Sequence, residues 1–294
     1  MIATLPLTDC TDMIGDRDRL LDHSSENGYL FFTGLLPVEP LLELRHQVFR
    51  VAEEHNLLAL DTDPDAGIRR KGVFICEEDG SELFKRLYID IQKLQLFHKH
   101  PHDERILHLL ETLFGEPVFV HPRHILHIIF PGKHQYTTPP HQDFHPVRGT
   151  QNTWTVWTPL GDCDNELGGL SIARGSNRLG FMDDNDVRSG KLTGKDTDWV
   201  WSPFKCGDVL MFHSLSIHRG RNNMTKDRIR LATSARYQPV SEPIDEAALN
   251  VHMRWSNWKE IYSGWETCDS LKYYWKSVDL DVQPSHRHKS TKGN

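Results

Sequence analysis

The sequence predicts an α+β fold in which a β-sandwich or barrel core is buttressed by N-terminal helices. Up to Gly115, apolar residues recur mainly at helical spacing. From Val118 onward, short apolar runs are separated by Gly, Pro, Asn and Asp, a pattern typical of β-strands. Helices followed by short antiparallel-type strands indicate this fold class.

The N-terminal part predicts four helical regions with one strand among them. The strand is Tyr29–Phe32, which follows the helix-ending Gly28, and Pro37 opens the second helix. A polar loop, 61–72, follows that helix. The helices are expected over 16–27, 37–55, 80–98 and 102–114.

The C-terminal part predicts five strand regions around a polar insertion. The insertion, 180–203, is expected to be a lid or a disordered excursion, because it is long and rich in Asp and Lys. In the second strand region, Thr153, Thr155 and Trp157 alternate with Trp154, Val156 and Thr158, as two different sheet faces require. The strand regions are 118–130, 151–160, 167–173, 207–212 and 228–237.

One catalytic domain is expected over 1–284, followed by a disordered polar tail over 285–294. Its last part is an aromatic segment with partly helical spacing. That segment is expected to pack against the core, and the alternative is a wall of a substrate pocket or a dimer interface. Its members are Trp255, Trp258, Tyr262, Trp265, Tyr273, Tyr274 and Trp275.

Composition excludes several classes. The chain has 294 residues, 38% hydrophobic and 26% charged, with a net charge of −7, which describes a globular protein and not a nucleic-acid binder. The sequence contains no run of about 18 apolar residues, so it predicts no membrane helix. The acidic N-terminus does not resemble a secretory signal. The five cysteines are scattered and form no CxxC pair, so a reduced, cytoplasmic protein is expected. We expect a monomer or a homodimer.

Residues 139–145 contain the first candidate metal ligands. In an extended segment, His141 and Asp143 point to the same side. His218 follows a predicted strand much later in the chain. Two imidazoles and one carboxylate on one face of an ion form the facial triad of non-haem Fe(II) oxygenases. In a chain with 18 histidines, an isolated HxD is by itself a weak signal.

Downstream residues supply a candidate anchor for a dicarboxylate cosubstrate. Arg228 and Arg230 alternate on the strand that ends at Tyr237, and arginine offers the fork that a carboxylate accepts. The spacing alone does not decide which of the two arginines would bind the cosubstrate.

His127 is a further candidate. It is either a hydrogen-bond donor to the cosubstrate or a core histidine that is hydrogen-bonded by its neighbours.

A second histidine group occurs at a predicted helix junction. His98, His100 and His102 are spaced by two residues. A solvated loop is expected for them, with adventitious metal binding as the alternative.

Several ordered segments together resemble the phytanoyl-CoA hydroxylase (phytanoyl-CoA dioxygenase) family of Fe(II)/2-oxoglutarate-dependent oxygenases. The resemblance covers about residues 15–240 and implies a double-stranded β-helix, the cupin-like jelly roll. The segments are ENGYLFFTGLLP, HQDFH, Trp157 on the next strand, GGLSIARGSNRLG, GDVLMFHSLSIHRGRNN, and Arg230 seven residues before Tyr237.

The resemblance implies roles residue by residue. His141, Asp143 and His218 match the iron ligands. Arg230 matches the arginine that binds 2-oxoglutarate, with Arg228 as the alternative. Trp157 matches an aromatic residue beside the cosubstrate, and Gln142 matches the glutamine between the ligands. The chain departs from the family where Ala173 to Asn177 replace a Pro-Gly-Ser-His turn.

The implied activity is hydroxylation of an unactivated C–H bond in a small-molecule metabolite, using O2 and 2-oxoglutarate and releasing succinate and CO2. Halogenation is disfavoured because halogenating relatives carry a small residue where Asp143 stands. Desaturation and ring formation remain open, as does the substrate. The alternatives are a non-catalytic jelly-roll binder and a cupin-type hydrolase or isomerase with Zn or Mn. Specificity is expected in the loops 61–80, 132–138 and 180–203.

Overall fold

Two packed antiparallel sheets, covered on one side by helices, enclose a cavity. The computed structural model describes residues 5–76, 80–132, 137–189 and 197–285. Parts of the loops expected to set specificity, and most of the expected tail, lie outside the described residues.

Helices dominate the N-terminal part and recur briefly later. The α-helices are α1 Arg17–Asn27, α2 Val38–Glu54, α3 Glu82–Gln92, α4 Gln95–Lys99, α5 Glu104–Phe114, α6 Phe144–Val147, α7 Asp184–Arg188 and α8 Trp258–Ile261. Short 3-10 turns span Thr11–Met13, Pro64–Ala66, His100–His102, Ser176–Leu179, Glu246–Leu249, His252–Arg254 and Tyr274–Ser277.

Strands alternate with these helices. They are β1 Tyr29–Phe32, β2 Val118–Val120, β3 Ile125–Ile129, β4 Trp154–Pro159, β5 Gly169–Ala173, β6 Trp199–Val200, β7 Val209–His213, β8 His218–Arg221, β9 Arg230–Pro239, β10 Ile244–Asp245 and β11 Val282–Gln283. The larger sheet has the order β1-β7-β4-β9-β2, with β3 also paired to β9, and the smaller sheet has the order β6-β5-β8. Strands β10 and β11 form a separate parallel pair.

The two faces of the larger sheet have different partners. Leu30, Val156 and Met211 point into a core shared with helices α1 to α5. Their neighbours Phe31, Trp157 and Leu210 point the other way, into a core shared with the smaller sheet. Because side chains alternate between the two faces along each strand, the larger sheet lies between a layer of helices and the smaller sheet.

The sequence predicted most of these elements, and local chemistry explains their ends. Asp16 caps α1 by accepting the Arg19 amide, and Gly28 ends it with a φ of 80°, a left-handed conformation that glycine adopts readily. The predicted helix over 80–98 is instead two helices, α3 and α4, separated at Lys93 and Leu94.

Four strands, β6, β8, β10 and β11, were not predicted. Strand β8 has the sequence HRGR, which carries no apolar alternation, and β6 has only two residues. Strand β8 is held by pairing with β5 and not by a buried side-chain pattern. This matters because β8 begins at His218, the residue predicted to be the distant metal ligand.

The aromatic C-terminal segment packs against the protein, as predicted. Trp258, Tyr262 and Trp275 form a cluster with Phe119, and the Trp265 indole donates to the carbonyl of Lys93 at 2.7 Å. Among the described residues, no helix is long and apolar enough to cross a membrane.

Candidate active site

His141, Asp143 and His218 lie together, as the sequence predicted. The carboxylate Oδ1 of Asp143 is 3.5 Å from Nε2 of His141 and 3.8 Å from Nε2 of His218. The backbones of the two histidines form an antiparallel bridge, in which each amide donates to the other carbonyl at 3.0 Å. The two imidazoles are therefore positioned by main-chain pairing at the start of β8.

Both histidines present the same nitrogen to the carboxylate. Nδ1 of His141 lies 2.9 Å from the carbonyl of Pro139, and Nδ1 of His218 lies 3.1 Å from that of Ser216. Because a carbonyl only accepts, Nδ1 carries the proton in each ring, and Nε2 keeps its lone pair. Burial lowers the pKa of His218 to about 3, with His141 adding to the effect, so this ring is neutral as a metal ligand must be.

Asp143 reaches the site by a different backbone path from the one expected. It is not extended: its φ of −65° and ψ of −25° place it at the start of α6. Thr155 donates to Oδ2 at 2.5 Å, and Nη2 of Arg236 lies 3.1 Å from both carboxylate oxygens. Burial would raise the pKa of Asp143, but Arg236 and His218 hold it well below its ordinary value. The carboxylate is thus ionised and fixed in orientation.

The three residues line a cavity of about 430 Å³ between the two sheets, within the size range of small-molecule sites. Arg230 and Trp157 also line it. Trp157 is 2% exposed and packs on Phe204, with ring centroids 4.8 Å apart.

Arg230 is a buried cation in this cavity, as is Arg236. Its Nη1 donates to the carbonyls of Leu167 at 2.9 Å and Arg221 at 2.8 Å, while its buried Nε has no partner among the described atoms. Burial lowers the pKa of Arg230 to about 10, so it stays charged at neutral pH. A charged guanidinium with a free buried donor fits a carboxylate.

Arg228, the alternative anchor, is not brought to the cavity. Strand β9 starts at Arg230, so Arg228 lies before it. Its half-exposed side chain pairs with Asp164 at 2.8 Å.

The other two predicted site residues have contrasting positions. His127 lines the cavity, where its Nε2 lies 2.8 Å from the hydroxyl of Ser234, and burial lowers its pKa to about 3. Gln142 does not reach the cavity. Its amide nitrogen donates to the carbonyls of Gly180 and Leu215, and its oxygen accepts the Met182 amide at 2.9 Å. It ties the ligand segment to neighbouring loops.

Arg236 and Thr155 were not predicted as site residues, although the sequence carried a signal for both. Arg230 and Arg236 are separated by an even number of residues along one strand, so they share a face of β9. Thr155 shares a face of β4 with Trp157 in the same way. The alternation was visible, but without the position of Asp143 it did not show what these residues contact.

The solvated loop expected for the second histidine group was wrong. His98 is 4% exposed and lies against His124, with ring centroids 5.3 Å apart. His102 lies 6.4 Å from His124. These rings pack under the aromatic C-terminal segment, which shields them from water.

The donor set fits ferrous iron and 2-oxoglutarate. Two neutral imidazole nitrogens and one carboxylate are the ligands of a facial triad, and such a triad leaves positions open for a cosubstrate. The triad atoms lie within 4.8 Å of one another. Arg230, with its orphaned Nε in the same cavity, suits the distal carboxylate of 2-oxoglutarate.

The family assignment follows. The family model described as phytanoyl-CoA dioxygenase (PhyH) matches residues 24–232, well over half of the chain. The chain belongs to the phytanoyl-CoA dioxygenase family of iron and 2-oxoglutarate-dependent oxygenases, which confirms the predicted resemblance.

Individual relatives are more distant. The 1-deoxypentalenic acid 11-beta-hydroxylase of Streptomyces arenae is 27% identical over 252 residues, covering 79% of this chain and 85% of that protein. The apoform of EctD from S. alaskensis superposes with a TM-score of 0.56 at 16% identity, covering 97% of this chain and 92% of that one.

A further solved structure is SnoK, a non-heme alpha ketoglutarate dependent carbocyclase from nogalamycin biosynthesis. It gives a TM-score of 0.55 at 18% identity and covers 81% of this chain and 88% of its own. At these identities the two structures show a shared fold alone.

Proposed function

We propose that the protein hydroxylates an unactivated C–H bond of a small-molecule metabolite. In this reaction the substrate C–H becomes C–OH, and 2-oxoglutarate is oxidised to succinate and CO2. One oxygen atom of O2 enters the new hydroxyl group, and the other enters succinate. The observation that carries the proposal is the placement of Arg230, a buried cation with a free donor, in the same cavity as the triad.

The chain's own residues bind, orient and exclude water. His141, Asp143 and His218 would hold the iron, which with 2-oxoglutarate and O2 supplies the oxidising chemistry when bound. Arg230 would receive the distal carboxylate and orient the cosubstrate toward the triad. Arg236 and Thr155 hold Asp143, leaving its carboxylate little freedom to rotate.

The cavity wall favours a largely apolar substrate. Ile125, Ile129 and Leu170 line it together with Phe212 and Met253. Apolar side chains around a reactive centre exclude water and hold an apolar body by burial.

The same site chemistry could lead to hydroxylation, ring formation or halogenation. SnoK shares the fold and carries the name of a carbocyclase, so the fold does not distinguish hydroxylation from ring formation. Hydroxylation is favoured because two relatives that each match 79% of this chain are named hydroxylases. The full-length carboxylate of Asp143 also occupies the position that a halide would need.

We further infer that the two packed sheets form the double-stranded β-helix of a jelly roll within one domain over 1–284. The cavity between the sheets and the triad at its edge support this inference.

Succinate formation tests the proposed function. Protein loaded with Fe(II) should release succinate from 2-oxoglutarate, and a metabolite screen should reveal compounds that stimulate it. Arg230→Gln should lose most of this release, whereas the matched control Arg228→Gln should keep it. A non-catalytic binder would release no succinate, and a cupin-type hydrolase or isomerase would turn over substrate without 2-oxoglutarate.

A further inference from the structure

We propose that the substrate carries an oxyanion, held at the mouth of the cavity by Arg188 and Arg254. The proposal rests on the proposed function, because it assumes that the apolar part of the same molecule reaches the triad. It adds a substrate class and an anion-binding site to that function.

The wall of the cavity is rich in positive charge. Five arginines line the cavity, and the only carboxylate in its described lining is Asp143; the arginines are Arg123, Arg188, Arg230, Arg236 and Arg254. Arg236 pairs with Asp143, and Arg230 is assigned to the cosubstrate. The lining therefore carries more positive than negative charge, although Arg188 also pairs with Asp184 outside it, and this charge attracts a negatively charged substrate.

Residues 252–254 all line the cavity, and their backbone includes two residues in an unusual conformation. Met253 and Arg254 have φ values of 60° and 57°, in the left-handed region that side-chain-bearing residues rarely adopt. Such strain persists where the surrounding structure enforces it, and it clusters at ligand-binding sites. Here it places an apolar side chain and a guanidinium, next to each other in sequence, on the cavity wall.

Arg254 is also available for a ligand. Its side chain is exposed and has no recorded hydrogen bond or ion pair among the described residues. It lies beyond residue 232, where the match to the family model ends. It therefore belongs to a part of the chain that the common family pattern does not describe, as expected for a specificity residue.

Arg188 approaches the cavity from a separate segment. It is the last residue of α7, in the polar insertion, and its Nε pairs with Asp184 at 2.5 Å. This ion pair uses the Nε edge of the guanidinium. The insertion and the C-terminal segment thus each contribute one arginine to the cavity, and two forks suit a carboxylate or a phosphate.

A binding experiment with simple probes tests the site. The protein is loaded anaerobically with Fe(II) and saturating 2-oxoglutarate, so that Arg230 is occupied, and is titrated calorimetrically with decanoate, decyl phosphate and decan-1-ol. At least one anion should bind about tenfold or more tightly than the alcohol, as charge-assisted hydrogen bonds require. The tighter of the two anions identifies the oxyanion as carboxylate or phosphate.

Variants then locate the site. Arg188→Gln and Arg254→Gln should each weaken binding of the preferred anion by about tenfold and leave decan-1-ol unchanged. Arg50→Gln is the matched control, since Arg50 also pairs with a helix neighbour, Glu53, but on the surface of α2. Equal binding of anions and alcohol, no binding of either anion, or unchanged anion binding in either variant would overturn the proposal.

The visible charge-transfer absorption of Fe(II) with bound 2-oxoglutarate separates the two proposals. If the band forms but the probes show no anion preference, only the oxyanion site is wrong. If the band does not form, the proposed function itself fails.

Discussion

Two groups of buried histidines in this molecule differ in what surrounds them. At the cavity, His141 and His218 donate through Nδ1 to backbone carbonyls and turn Nε2 toward Asp143. In the helical layer, neither ring nitrogen of His124 has a partner among the described atoms. His98 packs among aromatic rings, and its Nε2 lies 2.8 Å from the carbonyl of Gln92.

The comparison shows that burial does not make a metal ligand. Burial lowers the pKa of His98 and of His218 below the ordinary value of 6.5, so both rings are neutral. Only His218 lies beside a carboxylate that would offset the charge of a cation. Within the described residues, no acidic group favours a charge on His98 or His124.

The largest expected effect comes from removing the carboxylate. Asp143→Ala should abolish succinate release and weaken Fe(II) binding by more than about 100-fold, the upper end for merely supporting residues. The fold should survive, because strand pairing builds the sheets without iron. Metal titration and thermal unfolding check this. His124→Leu, which removes a buried histidine from the other group, should keep its iron; full activity in Asp143→Ala would remove that residue from the triad.

A smaller loss is expected when only the support of the carboxylate is removed. Arg236→Gln leaves Asp143 with the Thr155 hydroxyl but without its paired cation. Iron affinity should fall by about 10- to 100-fold, as measured by Fe(II) titration. Arg236→Lys should recover part of it by restoring the charge. Unchanged affinity in Arg236→Gln would show that Arg236 is not needed to orient Asp143.

The cosubstrate end of the cavity should respond selectively. Arg230→Lys keeps a charge but loses the fork, so the KM for 2-oxoglutarate should rise by about tenfold, more than that for the primary substrate. The 2-oxoglutarate dependence of succinate release measures this. Arg228→Lys, altered outside the cavity, is the control; if it alone raised the KM, the assignment to Arg230 would be wrong.

The smallest effect concerns stability and pH. Burial lowers the pKa of His98 and His102 to about 4. The unfolded chain takes up protons below about pH 6.5, whereas the folded protein does so only near pH 4. The free energy of unfolding should therefore fall as pH drops through this window, by up to about 1.4 kcal/mol per pH unit for each histidine.

The contribution of His98, His102 and His124 to this pH dependence can be measured apart from that of the cavity histidines. The pKa of His124 is held well below its ordinary value by burial and by His98 and His102. His124→Leu should make the loss of stability between pH 6.5 and 4.5 less steep, as measured by urea unfolding. An identical slope in wild type and variant would assign the pH dependence to other groups.

The sequence predicted what depends on local pattern. The helices ended by Gly28 and Gly115, the strand Tyr29–Phe32 and the triad all had signals within a few residues or in a recognisable spacing. The split of the predicted helix over 80–98 into α3 and α4 lacked such a signal, because no Gly or Pro marks it.

What depended on long-range pairing was not predictable. Strand β8 is polar and exists because it pairs with β5, and Arg236 acquires its role only when Asp143 is brought against β9. Arg254 was not singled out, since its place in the cavity depends on how the C-terminal segment returns to the sheets. Gln142 sits between two ligands, yet its amide serves the loops.

The backbone bridge between His141 and His218 bears on how such an enzyme diversifies. Each amide donates to the other residue's carbonyl, so the separation of the two imidazoles is set by atoms that every amino acid shares. Replacing wall residues such as Ile129, Leu170 or Met253 leaves those two hydrogen bonds intact. Substitutions in the cavity wall can therefore change substrate preference during evolution, while the spacing of the two histidines stays the same.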